Sequence, residues 1–365
     1  MSFKPITAIK FQIKKDEKND MKEQNQLYSR LYLVTGAAGN LGGSVAAKLV
    51  EQGKKVRGLV LDGDPAIARV PENVELFVGD VTDIESLEHF FMADSGTELV
   101  VIHCAAIVTL NPDFSQKVYD VNYVGTKNII NACVSHDIKK LVYVSSTGAI
   151  PELPRGESIS EVRRFDPDAV TGYYDKTKAM ASQAVLDAVD AYGLDASIVF
   201  PTGICGPDDY AYGPVTSIII DYCTGKIPVG IEGSFNAVDA RDLADAIISC
   251  CDKGRKGEGY ILGSECVTIR QMFHLLSEFT TSREVKIILP VGLSKLLGKC
   301  SDIGGKITGK PMRLTSFTIY NLIRNNVFDC TKAKRELGFH ARPFADSIRD
   351  TIVWLQGESR VRISI

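Results

Sequence analysis

The chain has 365 residues, 45% of them hydrophobic and 24% charged, and carries a formal net charge of −3. That length buries a large core, as one big domain or two closely joined ones. The near-neutral balance gives no electrostatic case for nucleic acid or an anionic membrane as partner, and no apolar run reaches transmembrane length.

Residues 1–30 are rich in Lys, Asp, Glu and Asn, as in Lys14-Lys15-Asp16-Glu17-Lys18-Asn19-Asp20. They read as a charged, flexible extension with no signal-peptide core, so the protein is expected to be cytoplasmic. Leu31-Tyr32-Leu33-Val34 then reads as a buried strand. It breaks into Gly36, Gly39 and Gly42, and a helical pattern follows with Val45, Leu49 and Val50 on its apolar face. Each glycine suits a task that a β-carbon obstructs. Gly36 turns out of the strand, Gly39 lets backbone N–H groups approach a pyrophosphate, and Gly42 lets the helix pack close to the sheet. The helix start offers its free N–H donors and positive dipole end to phosphate oxygens.

Further strands are expected at 56–61, 74–78, 99–103, 141–145 and 196–200, with helices at 83–92, 115–136 and 173–192. Continuous apolar strands alternating with helices predict an α/β fold, a Rossmann-type doubly wound parallel sheet covered on both faces. Ligands gather at the carboxyl ends of such strands, where Gly36, Asp62, Asp80, Ala105, Thr147 and Pro201 all fall. Residues 31–205 are therefore assigned to a dinucleotide-binding domain. Beyond 205 the pattern loosens under Pro207, Pro214, Pro228 and several glycines. Helical stretches are expected around 238–251, 268–279, 291–299 and 344–355. Residues 206–365 read as a smaller mixed α/β lobe for substrate, some elements of which can return to the main sheet.

The nine cysteines include no CxxC pair and read as reduced, mostly buried thiols. The five histidines show no metal-ligand spacing, so no metal is expected.

Tyr174 and Lys178 lie four apart, on one face of the predicted helix 173–192. A phenol with a pKa near ~10 is a poor base at neutral pH, and a neighbouring ammonium favours the phenolate. The pair can then move a proton at a substrate oxygen. Lysine can also hold ribose hydroxyls. Thr147, at the end of the fifth strand, can donate to the same substrate oxygen, with Ser146 as its rival. Tyr173 is the rival tyrosine, but its partner four residues on is Thr177, which carries no charge.

These features together resemble the extended short-chain dehydrogenase/reductase superfamily, over nearly the whole chain from Leu31 onward. Matching pieces are Thr35-Gly36-Ala37-Ala38-Gly39-Asn40-Leu41-Gly42, Gly79-Asp80-Val81, His103-Cys104-Ala105-Ala106, Asn122 to Thr126, Ser145-Ser146-Thr147 and Tyr174 to Lys178. Pro201 to Pro207, Val238 to Asp242 and Asp329 to Phe339 continue the series. Thr308-Gly309-Lys310-Pro311 and the segment from Lys332 to Phe339 bring it nearest in flavour to dihydroflavonol reductases and 3β-hydroxysteroid dehydrogenases.

The resemblance implies a Thr147, Tyr174, Lys178 triad. It implies cofactor contacts from Gly36, Ala38, Gly39, Asn40 and Leu41, and from Asp62, Asp80, Val81, Ala105, Ala106 and Pro201. His103 and Asn122 are assigned to packing. An acid at the end of the second strand favours NAD, while Arg57 and Arg69 keep NADP open. Gly233-Ser234 stand before Phe235 where nucleotide-sugar relatives carry a basic residue, and Gly148-Ala149 follow Thr147 where dehydratases carry acids.

The expected function is an NAD(P)-dependent oxidoreductase interconverting a secondary alcohol and a ketone on a mostly apolar small molecule, hydroxysteroid- or dihydroflavonol-like. A nucleotide-sugar epimerase with retained NAD, or a non-catalytic dinucleotide-binding sensor, are the alternatives. Similar proteins form homodimers through the helices at 115–136 and 173–192, and a homodimer is expected here. The substrate pocket is expected to draw on 148–171, 205–235 and parts of 264–325.

Overall fold

The computed structural model describes residues 30–308 and 314–361; the charged extension and most of the Thr308 to Pro311 stretch lie outside them. The strand–helix alternation runs in chain order through β1 (Arg30–Thr35), α1 (Asn40–Glu51), β2 (Lys55–Val60), β3 (Glu75–Val78), α2 (Ile84–Phe91) and β4 (Glu98–His103). Next come α3 (residues 116–135), β5 (Lys140–Val144), α4 (Tyr173–Tyr192) and β6 (Ala196–Pro201). The helix α3 passes through one π turn at Asp120–Val124.

The strands assemble in the order β3-β2-β1-β4-β5-β6, and β10 (Gly259–Leu262) adds a seventh beyond β6. Every neighbouring pair is parallel. The order reverses between β1 and β4, which opens a crevice at their carboxyl ends. Parallel pairing buries both faces, so the central strands read as unbroken apolar runs: Leu33, Val34, Val100, Val101, Ile102 and Val142 are all fully buried.

The second part of the chain supplies β7 (Gly203–Cys205), α5 (Pro214–Cys223), β8 (Gly230–Ile231), β9 (Ser234–Asp239) and α6 (Ala240–Lys253) before β10. After it come β11 (Cys266–Thr268), α7 (Ile269–Phe279), β12 (Ile288–Leu289), α8 (Val291–Thr308), α9 (Ser316–Ile323), α10 (Thr331–Leu337) and α11 (Phe344–Gly357). β7, β9 and β11 form a small mixed sheet, and β8 pairs with β12. A separate apolar cluster around Ile219, Met272, Leu276, Ile348 and Leu355 holds this lobe.

Several elements differ from the sequence expectation for identifiable reasons. Val238 and Asp239 belong to β9, because the Asp239 carboxylate caps the following helix at the Arg241 N–H. α5 starts at Pro214, a residue that suits the first helical position as well as it breaks a later one. The helix expected at 291–299 runs on to Thr308. All nine cysteines are free, five of them buried. Among the described residues no cluster of His, Cys, Asp and Glu is arranged to hold a metal, and no helix is long and apolar enough to cross a membrane.

Candidate active site

The turn after β1 is built on two close approaches. Gly36 has φ +68°, and a β-carbon there would lie 3.0 Å from the Ala105 backbone at the tip of β4. A β-carbon on Gly42 would lie 2.2 Å from the Gly36 carbonyl oxygen, so only glycine lets α1 sit on its own entry turn. α1 has no side-chain cap and no acidic residue in its first turn. Its leading N–H groups therefore have no partner within the helix. Asn40 Oδ1, in the same turn, is buried without a hydrogen-bond partner. Leu41 is buried, so only its backbone can face a ligand.

A directed chain of hydrogen bonds fixes the neighbouring strand tip. The Ala105 N–H donates to Thr35 Oγ1 (3.1 Å), which meets His103 Nδ1 at 2.7 Å. His103 Nε2 meets Thr126 Oγ1 at 3.0 Å, and that hydroxyl donates to the Asn122 carbonyl (2.7 Å). Thr126 spends its proton on Asn122, so the network assigns the His103 proton to Nε2. Burial, with Lys178 nearby, pushes the imidazole down to about 3. His103 is neutral scaffold, as the sequence suggested. Asn122 does more than pack. Its amide clamps the Ile107 backbone through both its N–H and its carbonyl (2.8 and 3.0 Å) and donates to Thr177 of α4 (3.2 Å).

The expected cofactor positions line the same edge. Asp62 is exposed just past β2. The Asp80 carboxylate accepts from the Thr82 N–H and hydroxyl, both at 2.8 Å, which shapes the turn after β3. Val81 is buried against Gly125. Both rival cations are engaged elsewhere. Arg57 bonds Glu75 and the carbonyls of Phe90 and Met92, and Arg69 stacks 3.7 Å over the Tyr210 ring.

α4 presents Tyr174 and Lys178 to the tip of β5. The helix starts at Gly172 (φ +98°), where the Phe317 ring fills the space a β-carbon would need. Lys178 is only 3% exposed. Its ammonium donates to the Val144 carbonyl (2.8 Å) and lies 3.4 Å from Tyr143 Oη. Burial lowers its pKa to about 7. Tyr174 is half-buried, and burial and the adjacent Asp175 push its phenol above the ordinary value. This corrects the expected direction: burial raises the phenol instead of a charged amine lowering it, and brings the amine into the neutral range where it is half charged. Tyr173 lies against Phe114 instead, its ring 4.9 Å away.

The hydroxyls of Ser145, Ser146 and Thr147 go three ways. Ser145 bonds Ser182 of α4 at 2.7 Å. Thr147 donates to the Pro201 carbonyl at 3.3 Å. Ser146 accepts from the Gly148 N–H (3.1 Å), and its hydroxyl opposes the rise of the Tyr174 phenol. Both rival hydroxyls, Ser146 and Thr147, thus stand at the tip of β5, Ser146 bound to its own turn and Thr147 resting on β6.

Two further charged groups meet here that sequence spacing could not pair. Asp175 is buried against Gly148, with Arg324 Nη1 3.7 Å from its carboxylate. Burial raises Asp175 to about 6, and the guanidinium opposes that rise. Arg324 Nε is itself buried without a partner. Beyond it lies a cavity of about 720 Å³ whose walls include Arg155, Arg270, Arg324, Ile231, Ile288 and Leu322. Its lining falls within the three expected segments, except for Asn326 and Val327.

The profile of the NAD dependent epimerase/dehydratase family matches residues 32–263. The chain belongs to that family. Sterol demethylase protein B of Methylococcus capsulatus is 30% identical over 329 residues, spanning 89% of this chain and 98% of that protein. A putative dihydroflavonol 4-reductase of Synechocystis is 27% identical over 344 residues, 91% and 96% of the two chains. The crystal structure of gox2253 superimposes with a TM-score of 0.79 at 29% identity, covering 91% of this chain and 99% of that one.

The protein is accordingly an NAD-dependent enzyme of the extended short-chain type, and its opening turn fits that cofactor. A dinucleotide's pyrophosphate needs uncapped N–H groups and no β-carbon in the way, which Gly36, Gly39 and Gly42 provide. The orphaned Asn40 Oδ1 is a polar atom in that cradle with no protein partner.

Proposed function

We propose that this protein interconverts a secondary alcohol and a ketone on a large, mostly apolar ring system, hydroxysteroid- or dihydroflavonol-like. The observation that carries the reading is Tyr174 one helical turn from the buried Lys178, whose ammonium is bonded to the end of β5 where Ser146 and Thr147 follow. NAD supplies the hydride acceptor or donor. The backbone of Gly36, Ala38, Gly39, Asn40 and Leu41 would hold its pyrophosphate, Asp62 its ribose, and Asp80 and Val81 its adenine. Ala105, Ala106 and Pro201 would flank it.

Tyr174 moves the proton at the substrate oxygen. Thr147 donates to the same oxygen and stabilises charge on it, with Ser146 as its rival. In the free chain the Thr147 hydroxyl rests on the Pro201 carbonyl. Lys178 tunes the phenol when it is charged and hydrogen bonds ribose hydroxyls. Arg57 and Arg69 are both occupied, which supports NAD over NADP. The sterol demethylase and dihydroflavonol reductase relatives point to ring alcohols as the substrate class.

A nucleotide-sugar epimerase is the second reading, and Arg155, Arg270 and Arg324 around the cavity favour it, since guanidinium groups suit a diphosphate. Gly233 and Ser234 add no charge to that wall. A nicotinamide absorbance screen across hydroxysteroids, dihydroflavonols and nucleotide sugars separates the two. Turnover of a ring alcohol with exchangeable cofactor is the expected result. Tyr174→Phe should remove that turnover and leave NAD affinity intact; full turnover by the variant would eliminate the proposed proton donor.

A further inference from the structure

The helix α8 has its faces reversed. Ser294 and Gly298 are its buried positions, and a β-carbon on Gly298 would lie 2.6 Å from Ile319 Cδ1 and 3.1 Å from the Ser316 nitrogen. Its large residues point away from the protein. Leu296, Ile303 and Ile307 are 59%, 60% and 79% exposed, Leu293 and Leu297 flank them, and Cys300 is exposed among them. At 100° per residue these side chains form one stripe about 120° wide, opposite the small-residue face. Lys295, Lys299 and Lys306 are exposed and share one flank of the stripe, within about 40° of each other. Asp302 is the helix's only acid, and it turns inward to accept from the Ser316 N–H (3.2 Å).

We propose that α8 docks on an anionic lipid bilayer, lying in the plane of the interface. An outward stripe of Leu and Ile beside a row of lysines is the pattern of an interfacial helix. The stripe enters the acyl boundary, and the lysine row meets lipid phosphates with no competing carboxylate on the outer face. The chain's net charge of −3 does not oppose this, because charges more than about 10 Å away are screened at physiological salt. Val291, the first residue of α8, lines the cavity together with Pro290 and Ile288, so the docking helix is continuous with the cavity wall. The expectation of no membrane partner rested on spanning length and total charge, and neither measure sees a helix that lies on a surface.

The test is co-sedimentation of the full-length protein with vesicles of phosphatidylcholine and phosphatidylserine, against phosphatidylcholine alone. Binding is expected to the anionic vesicles and to weaken with salt. Lys295→Gln, Lys299→Gln and Lys306→Gln should each weaken it about fivefold. Combined Leu296→Glu, Ile303→Glu and Ile307→Glu should abolish it, with circular dichroism confirming the fold. A second readout needs none of these substitutions: an environment-sensitive fluorophore on Cys300, with Cys266→Ser, should shift to the blue on anionic vesicles. Absent binding by the wild type, equal binding by the triple-Glu variant, or an unshifted fluorophore overturns the proposal. So does a wild-type dimer that the triple-Glu variant breaks while vesicles bind neither, since the stripe is then a self-association face. None of these readouts depends on which substrate the enzyme turns over.

Discussion

Lys178→Met should stabilise the cofactor-free protein at neutral pH while removing its activity. In the folded chain the buried amine titrates at about 7, against an ordinary 10.5. At about 1.36 kcal/mol per decade, that fall opposes folding by about 5 kcal/mol wherever the unfolded lysine is charged and the folded one must charge too. The penalty is complete below about pH 7 and fades as pH rises toward 10.5, because the unfolded chain then loses the same proton. Methionine of similar length removes it at every pH. The substitution also strips the Val144 carbonyl of its 2.8 Å donor, which costs about 1–3 kcal/mol independent of pH. The variant is therefore expected to be more stable than the wild type near pH 6. Its advantage should shrink by about 2–3 kcal/mol by pH 9, where the two curves approach each other. Urea unfolding followed by circular dichroism, at pH steps between these limits and without NAD, measures the difference. Two parallel stability curves would refute the reasoning, because they would mean that Lys178 keeps an ordinary pKa in the folded chain.

Thr147→Ala should lower kcat about a hundredfold or more, and Ser146→Ala should lower it much less, because Thr147 is the proposed donor to the substrate oxygen. Steady-state kinetics on the ring alcohol identified by the screen decides between them, and the reverse ranking would give the role to Ser146. Gly42→Ala places a methyl 2.2 Å from the Gly36 carbonyl, so the turn must shift. NAD affinity measured by calorimetry should fall at least about tenfold, since the backbone donors no longer converge; unchanged affinity would show that the turn does not seat the pyrophosphate.

Much of this protein was legible because its logic is local. The glycine spacing at 36, 39 and 42 follows from backbone clashes within one turn, and α4 falls at 173–192 because Gly172 and the apolar pattern after it are neighbours in sequence. The unbroken apolar strands announced a sheet buried on both faces. The proline at 214 misled for the same reason: one residue type both starts and stops helices, and only position tells which.

Other features depend on long-range packing. Three adjacent hydroxyls at 145–147 are equivalent on paper, and their fates were set by α4 on one side and β6 on the other. Asp175 and Arg324 stand far apart in sequence, so no spacing rule pairs them. The outward face of α8 is decided by the small residues that fit it against Ile319, since an apolar stripe alone would have been read as core.

Sequence alone determined six strands of the main sheet, the glycine turn after the first of them and the one-turn spacing of Tyr174 and Lys178, because each is written in residues within one or two turns of each other. Tertiary structure decided where the Ser145 and Thr147 hydroxyls go and where Arg324 lies. It also decided that burial, more than charge, sets the protonation of Lys178, since desolvation depends on every element packed around a group and not on its neighbours in the chain.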